Sequence, residues 1–251
     1  MTTEYSGSGD ARRTLELLWG VQPQPRRGPK PKLTARRIVE AAITVADAEG
    51  LAALSMRRVA EELSVAAMSL YTYVPSKAEL IDLMLDTVQA ELPLLDDLPG
   101  TWRERMTAWA RASMASYHRH PWVLQVNTVH PPMGPNEMTS AEAAMRALTG
   151  IGLTDHEVMA LRGAIDGYIR GVARSLVDAA QVEARTGLSD EAWDASRNPY
   201  LEKVITPDRF PIMTRMHADG VFESPLDVFD FGLQRLLDGV EATLTSRRAQ
   251  P

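Results

Sequence analysis

The 251-residue chain is long enough for one large or two small domains, and its 45% hydrophobic share suits a buried core. It has no cysteine, which excludes disulfides and thiolate chemistry. No apolar run approaches the roughly 18 residues of a membrane span, and no early segment is laid out like a secretory leader, so a soluble cytoplasmic protein is expected.

Residues 1–9 are small and polar and read as disordered. "DARRTLELLWG" then reads as a short amphipathic helix with Leu15, Leu18 and Trp19 on one side, an apolar patch that needs a cover. Arg26, Arg27, Lys30 and Lys32 come next, set around Pro29, Pro31 and Gly28. Prolines lack a backbone donor and favour extended chain, so this segment suits either a solvated linker or an arm lying along a polyanion. The overall charge of −6 hides the asymmetry: residues 26–77 hold nine Lys/Arg against five Asp/Glu, a window of +4 that leaves −10 for the rest. A basic module is joined to an acidic body.

From Thr34 the pattern turns helical, with Ile38, Ala41, Ala42, Val45 and Ala46 at three- and four-residue steps and Gly50 as the stop. Ser55 caps a second, short helix, "SMRRVAEEL"; "SVA" turns the chain; "AMSLYTYV" forms a third helix that Pro75 ends. Ser76 and Glu79 form a capping box for a fourth helix to about Glu91, and "PLLDDLPG" breaks the chain. Further helices are predicted from Thr101 to Arg119, briefly from Pro121, from Thr139 to Thr149 and from Thr154 to Arg185. Residues 186–211 look too proline-interrupted for one helix, and Ser224–Pro225 opens a last helix to about Thr245. No strand alternation is evident.

Two short helices around a tight turn, backed by a longer one, describe a helix-turn-helix. Val59, Ala60 and Leu63 form the core side of its first helix, while Val65 and Leu70 pack inward from the second. The second helix presents Ala66, Ala67, Met68, Ser69 and Thr72; small side chains let a backbone approach base edges, and Met68 can meet thymine methyls. Tyr71, Tyr73 and Lys77 gather at its far end, suited to phosphate oxygens. The same spacing also fits a plain three-helix core with an aromatic end.

The stretch "IVEAAITVADAEGLAALSMRRVAEELSVAAMSLYTYVPSKAELIDLM", with "TWRERM" and the terminal "FDFGLQRLLDGVEATL", resembles the tetracycline repressor (TetR) family of bacterial transcriptional regulators. The resemblance covers nearly everything after residue 33. It implies an all-α homodimer: a flexible N-terminal extension with a basic arm at 1–33, a three-helix DNA-binding domain at 34–80 and a helical ligand-binding and dimerisation domain at 81–251. Its expected function is a ligand-responsive repressor, released from a palindromic operator by a small aromatic or hydrophobic molecule. On this reading Arg26, Arg27, Lys30 and Lys32 become a DNA-contacting arm, joined by Ser55, Arg57, Ala66, Ala67, Met68, Ser69, Tyr71, Thr72, Tyr73 and Lys77.

Gly163, Gly167 and Gly171 fall at i, i+4 and i+8 of the long helix, and Gly232 and Gly239 seven apart in the last. Each helical glycine costs about 1 kcal/mol relative to alanine, so a stripe of three needs compensation, which close helix approach would supply either across a dimer or within one subunit. The resemblance implies a four-helix dimer interface there. It also implies a ligand cavity lined by Trp109, Ser113, Asn127, Pro131 and Met145, and the candidate lining extends to Tyr117, Trp122, Met133, Leu161 and Ile165. Tetracycline-binding members use a histidine to hold drug-bound magnesium; Asn127 stands at that place, which argues against that ligand. No cofactor or metal is expected. "HEVMA" lacks the second histidine of a zinc HExxH, and His118 and His120 are two apart, pointing to different helix faces. Without such motifs an enzyme is not expected, and the competing possibility is an architectural or ligand-independent DNA-binding protein.

Overall fold

The computed structural model describes residues 4–21, 33–222 and 226–249. Among them eleven α-helices alternate with short turns, and the sole sheet is a two-residue parallel bridge. The chain divides into two compact units, Met1–Asp166 and Gly167–Pro251. The basic arm residues Arg26, Arg27, Lys30 and Lys32 lie outside the described residues.

In the first unit, α1 spans Ala11–Leu18, α2 Ala35–Glu49, α3 Met56–Glu62, α4 Ala67–Tyr71 and α5 Lys77–Gln89. Thr34 and Ser55 cap α2 and α3 by accepting from the amides of Arg37 and Arg58, which satisfies otherwise orphaned donors. Gly50, at φ +82°, closes α2 in the left-handed region open to glycine. The apolar stripe of α2 meets Val59 and Ala60 of α3, Leu70 of α4, and Leu80, Ile81 and Met84 of α5 in one core. After α5 come α6 (Trp102–Arg119), α7 (Pro135–Leu148) and α8 (Asp155–Thr186). Thr101 and Glu104 form a full capping box at the start of α6.

In the second unit, which α8 enters, α9 covers Asp190–Val204, α10 Pro211–Ala218 and α11 Val228–Arg248. Tyr168 of α8 stacks on Phe229 of α11 at 6.3 Å between ring centroids, and its hydroxyl donates to the carbonyl of Phe229 at 3.0 Å.

Several expectations change. Residues 4–21 are folded: β1 (Glu4–Tyr5) pairs with β2 (Val126–Asn127), and α1 packs on α5. The inward side of α1 is Thr14, Leu17 and Leu18, whereas Leu15 and Trp19 face outward. Ser76 caps α5 through the amide of Ala78, because Glu79 is engaged by the amide of Asp10 and by the Ser76 hydroxyl. Helix α7 starts at Pro135, ahead of Thr139, whose hydroxyl instead donates back to the Pro135 carbonyl. No single helix runs through 186–211, as expected, since α9 ends at Val204 and Pro211 opens α10; the difference is that Pro199 lies inside α9. Asp227 caps α11; Ser224 and Pro225 lie outside the described residues.

Candidate functional site

Helices α3 and α4 make a sharp turn in which Ser64 takes the left-handed conformation (φ 55°) and the Val65 amide donates to the Ala60 carbonyl. Leu70 and Val74 are fully buried and anchor α4 on the α2 core. That anchoring turns the other side of α4 outward: Ala66, Met68, Ser69, Tyr71 and Thr72 are exposed, and Met68 is 76% accessible. A methionine so exposed gains nothing from burial, so its placement is a matter of surface chemistry. Ala67 and Tyr73 are half-buried and pack on the core. Ser55 is spent on capping α3, and Arg57 pairs with Glu61 at 3.0 Å.

Lys77 is not free at the surface. Its ammonium lies 2.8 Å from the Glu4 carboxylate. The sequence gives no sign of this contact because the two residues lie far apart in the chain.

The candidate effector residues of the first unit lie on α6, on the segment from β2 to α7, on α7 and on α8. Trp109, Ser113 and Ile165 are buried, and the Ser113 hydroxyl donates to the Trp109 carbonyl at 3.0 Å. Tyr117, Met145 and Leu161 are half-buried; Pro131 and Met133 reach the surface. The Asn127 side chain accepts from the Val129 amide, so part of its polarity is spent on its own turn. Burial pushes the Glu137 carboxyl above its ordinary range, against the opposing hydrogen bond from the Met133 amide.

Trp122, also among the candidate ligand residues, makes contacts of its own with the DNA-binding head. It is fully buried with the α2–α5 core, and its indole N–H donates to Asp47 Oδ1 at 2.7 Å. It therefore links the α6–α7 connection to α2. His120 makes the same link: Nδ1 lies 2.8 Å from Asp47 Oδ1 and Nε2 3.2 Å from Glu91 Oε2. In the sequence His120 registers only as a candidate metal ligand; among the described residues no group of three or more metal-binding side chains comes together.

Of the glycines assigned to a dimer interface, Gly163, Gly167, Gly171 and Gly239 face open space where a side chain would start. Gly232 differs: its bare face is filled by the Tyr168 hydroxyl of its own chain, so its close approach is internal.

A solvent-facing α4, fixed by buried Leu70 and Val74 over two supporting helices, defines the chain as a helix-turn-helix DNA-binding protein. Residues 38–84 match the bacterial regulatory proteins of the tetR family, and residues 92–244 the tetracyclin repressor-like C-terminal domain. The chain is 50% identical to the HTH-type transcriptional repressor DrrR1 of Streptomyces coeruleorubidus, over 99% of its own length and 92% of that protein. Its fold is similar to apo ActR from Streptomyces coelicolor, with a TM-score of 0.72 and 28% identity over 87% of this chain and 100% of that one. It is similar also to ActR in complex with actinorhodin, with a TM-score of 0.70 and 30% identity over 84% and 97% of the two chains. The chain belongs to the TetR family of bacterial regulatory proteins. It is a DNA-binding transcriptional regulator of that family. No helix among the described residues is long and apolar enough to cross a membrane.

Proposed function

We propose that the protein acts as a homodimer on a palindromic operator in the cytoplasm, without enzymatic activity, and leaves DNA when an aromatic or otherwise hydrophobic small molecule binds its first unit. The observation that carries this reading is the outward face of α4. Met68 and Thr72 stand beside small Ala66 and Ser69, a surface suited to base edges and thymine methyls in the major groove. Tyr71, Tyr73 and Lys77 supply hydroxyls and a cation for flanking phosphates. The four cations between residues 26 and 32 fit the same purpose: a basic arm just ahead of α2 adds affinity that does not depend on base sequence.

The dimer reading draws on the open glycine stripe of α8 and on Gly239 of α11, which leave room for a second helix to approach closely. Two-fold protein symmetry then asks for two-fold DNA symmetry. The effector reading draws on Trp109, Met145 and Ile165 as apolar walls beside Ser113, with Asn127 as a polar anchor, and on the relative ActR having been solved with actinorhodin.

Selecting duplexes from a random-sequence pool tests the operator, and sedimentation tests the dimer. Palindromic duplexes bound by two subunits are expected. A monomer at micromolar concentration that binds one half-site would overturn the reading. Thermal-shift screening of hydrophobic aromatic compounds, repeated on Trp109→Ala, tests the effector region: compounds that stabilise both chains equally bind elsewhere.

A further inference from the structure

The N-terminal segment lies outside both the helix-turn-helix and the effector region, yet it is tied down at many points. The chain turns at Gly7, at φ +69°, a conformation other residues rarely adopt. At Gly9 it runs so close to α5 that a Cβ would stand 2.7 Å from Glu79 Oε1. Asp10 caps α1 by accepting from the Arg13 amide, and α1 buries Thr14, Leu17 and Leu18 against the molecule.

Its polar contacts fall into two sets. The first set goes to α5: Glu4 pairs with Lys77 at 2.8 Å, the Gly7 amide donates to Asp82 Oδ1 at 3.0 Å, and the Asp10 amide donates to Glu79 Oε1 at 3.2 Å. The second set goes to carbonyls between β2 and α7. The Ser6 amide donates to Asn127 at 3.0 Å, the Ser6 hydroxyl to His130 at 2.8 Å, and the Trp19 indole N–H to Met133 at 3.1 Å. Backbone carbonyls are strong acceptors, and Asp82 and Ser6 are buried, so the bonds made by these two residues are not easily exchanged for water.

We propose that residues 4–21 are a coupling strap, bonding at once to the acidic row of α5 and to the 127–133 segment so that the two move together. Helix α5 begins just after α4, so its position sets that of the DNA-reading helix. The strap's regulatory meaning rests on the reading that residues 127–133 border the effector. A ligand that displaces Asn127 or Met133 must then either break the bonds to Ser6 and Trp19 or carry Lys77, Glu79 and Asp82 with them. The strap holds both sets of partners at once, so it forms a contiguous run of hydrogen bonds through which a shift at one end is passed to the other.

The test uses hydrogen exchange read by mass spectrometry, free and bound to a duplex selected from the random pool. Three proteins are compared: the full chain, a variant lacking residues 2–21 that keeps the basic arm, and the double variant Ser6→Ala/Gly9→Val. In the full chain, duplex binding is expected to alter exchange at α4, at α5 and at 126–133. Both variants are expected to bind duplex and keep the change at α4 and α5, but lose it at 126–133. An equal change at 126–133 in the variants, or none in the full chain, overturns the proposal. Should the deletion fail to fold, the double variant decides alone, with loss of α1 protection reporting its release. Because DNA is the probe, a failed effector reading leaves this result intact, and a failed strap leaves effector binding intact.

Discussion

The indole N–H of Trp122 donates to Asp47 Oδ1 at 2.7 Å, which fastens the connection after α6 to the middle of the DNA-binding head. Trp122→Phe keeps the apolar volume nearly whole but leaves the carboxylate one donor short. Hydrogen bonds to charged groups contribute about 1.5–3 kcal/mol, so a stability loss of that order is expected in urea unfolding. Effector response should persist; its disappearance with stability unchanged would return Trp122 to the ligand site.

The Glu4–Lys77 pair predicts an opposite effect at the DNA surface. Glu4→Gln releases Lys77 for phosphate, and an exposed pair of this kind is worth up to about 1 kcal/mol, so operator affinity should rise by up to about fivefold. Lys77→Gln should weaken binding on all sequences alike and lower the salt slope by about 1. Both are read by fluorescence anisotropy across a salt series. An affinity unmoved by either change means that Lys77 does not touch DNA.

Met68 offers the cleanest separation of recognition from folding. Because its side chain is 76% exposed, Met68→Ala should shift stability by no more than about 0.5 kcal/mol. It should nonetheless change which bases are preferred in the selected duplexes. An unchanged preference would show that α4 reads DNA through other residues.

Gly167→Leu tests the dimer. A Cβ there meets nothing within 4 Å, and leucine is a better helix former than glycine, which lies about 0.8–1 kcal/mol below alanine, so the subunit should fold at least as well. Across a close helix pair it blocks association. The expected outcome is a folded monomer by sedimentation with weakened operator binding; a dimer of normal affinity would move the interface away from this stripe.

Burial raises the Asp82 carboxyl above its ordinary range; the Gly7 amide opposes the shift, and the nearby Glu79 charge adds to it. A carboxyl raised in the folded state favours folding fully below its unfolded value, and that contribution is lost as pH rises through the folded one. Asp82→Asn removes the term while keeping an acceptor for Gly7. Relative to the native chain, the variant should therefore be more stable near pH 7 than near pH 4, as read by paired urea titrations. A difference that does not vary with pH would place the Asp82 charge outside the energetics of the strap.

The helix-turn-helix was legible because its signals are local: Thr34, Ser55 and Gly50 mark helix ends, and the apolar steps from Ile38 to Ala46 fall on one face. The outward set on α4 is the complement of the inward placement of Leu70. The features that escaped reading rest on distant partners. Trp122 carries the same sequence signal whether it lines a cavity or meets Asp47, and Glu4, Ser6 and Trp19 give no sign of Lys77, His130 or Met133. Periodicity places Leu18 on the inward side of α1 correctly but groups Leu15 and Trp19 with it, whereas Thr14 and Leu17 complete that side. Pro199 misleads for another reason: a single missing amide bond can be carried within a helix whose other bonds remain.

Asp86 of α5 completes the start of α7, accepting from the amides of Asn136 and Glu137 at 3.1 and 3.0 Å and from the Asn136 side chain at 3.0 Å. A helix is thus capped by a residue from a different element, which makes α5 inseparable from α7. Chimeric regulators that graft this head onto another family member should therefore take residues 4–21, α5 and α7 from one parent. A junction ahead of Lys77 would leave the N-terminal segment without Lys77, Glu79 and Asp82, and one inside α5 that replaces Asp86 would leave α7 without its cap.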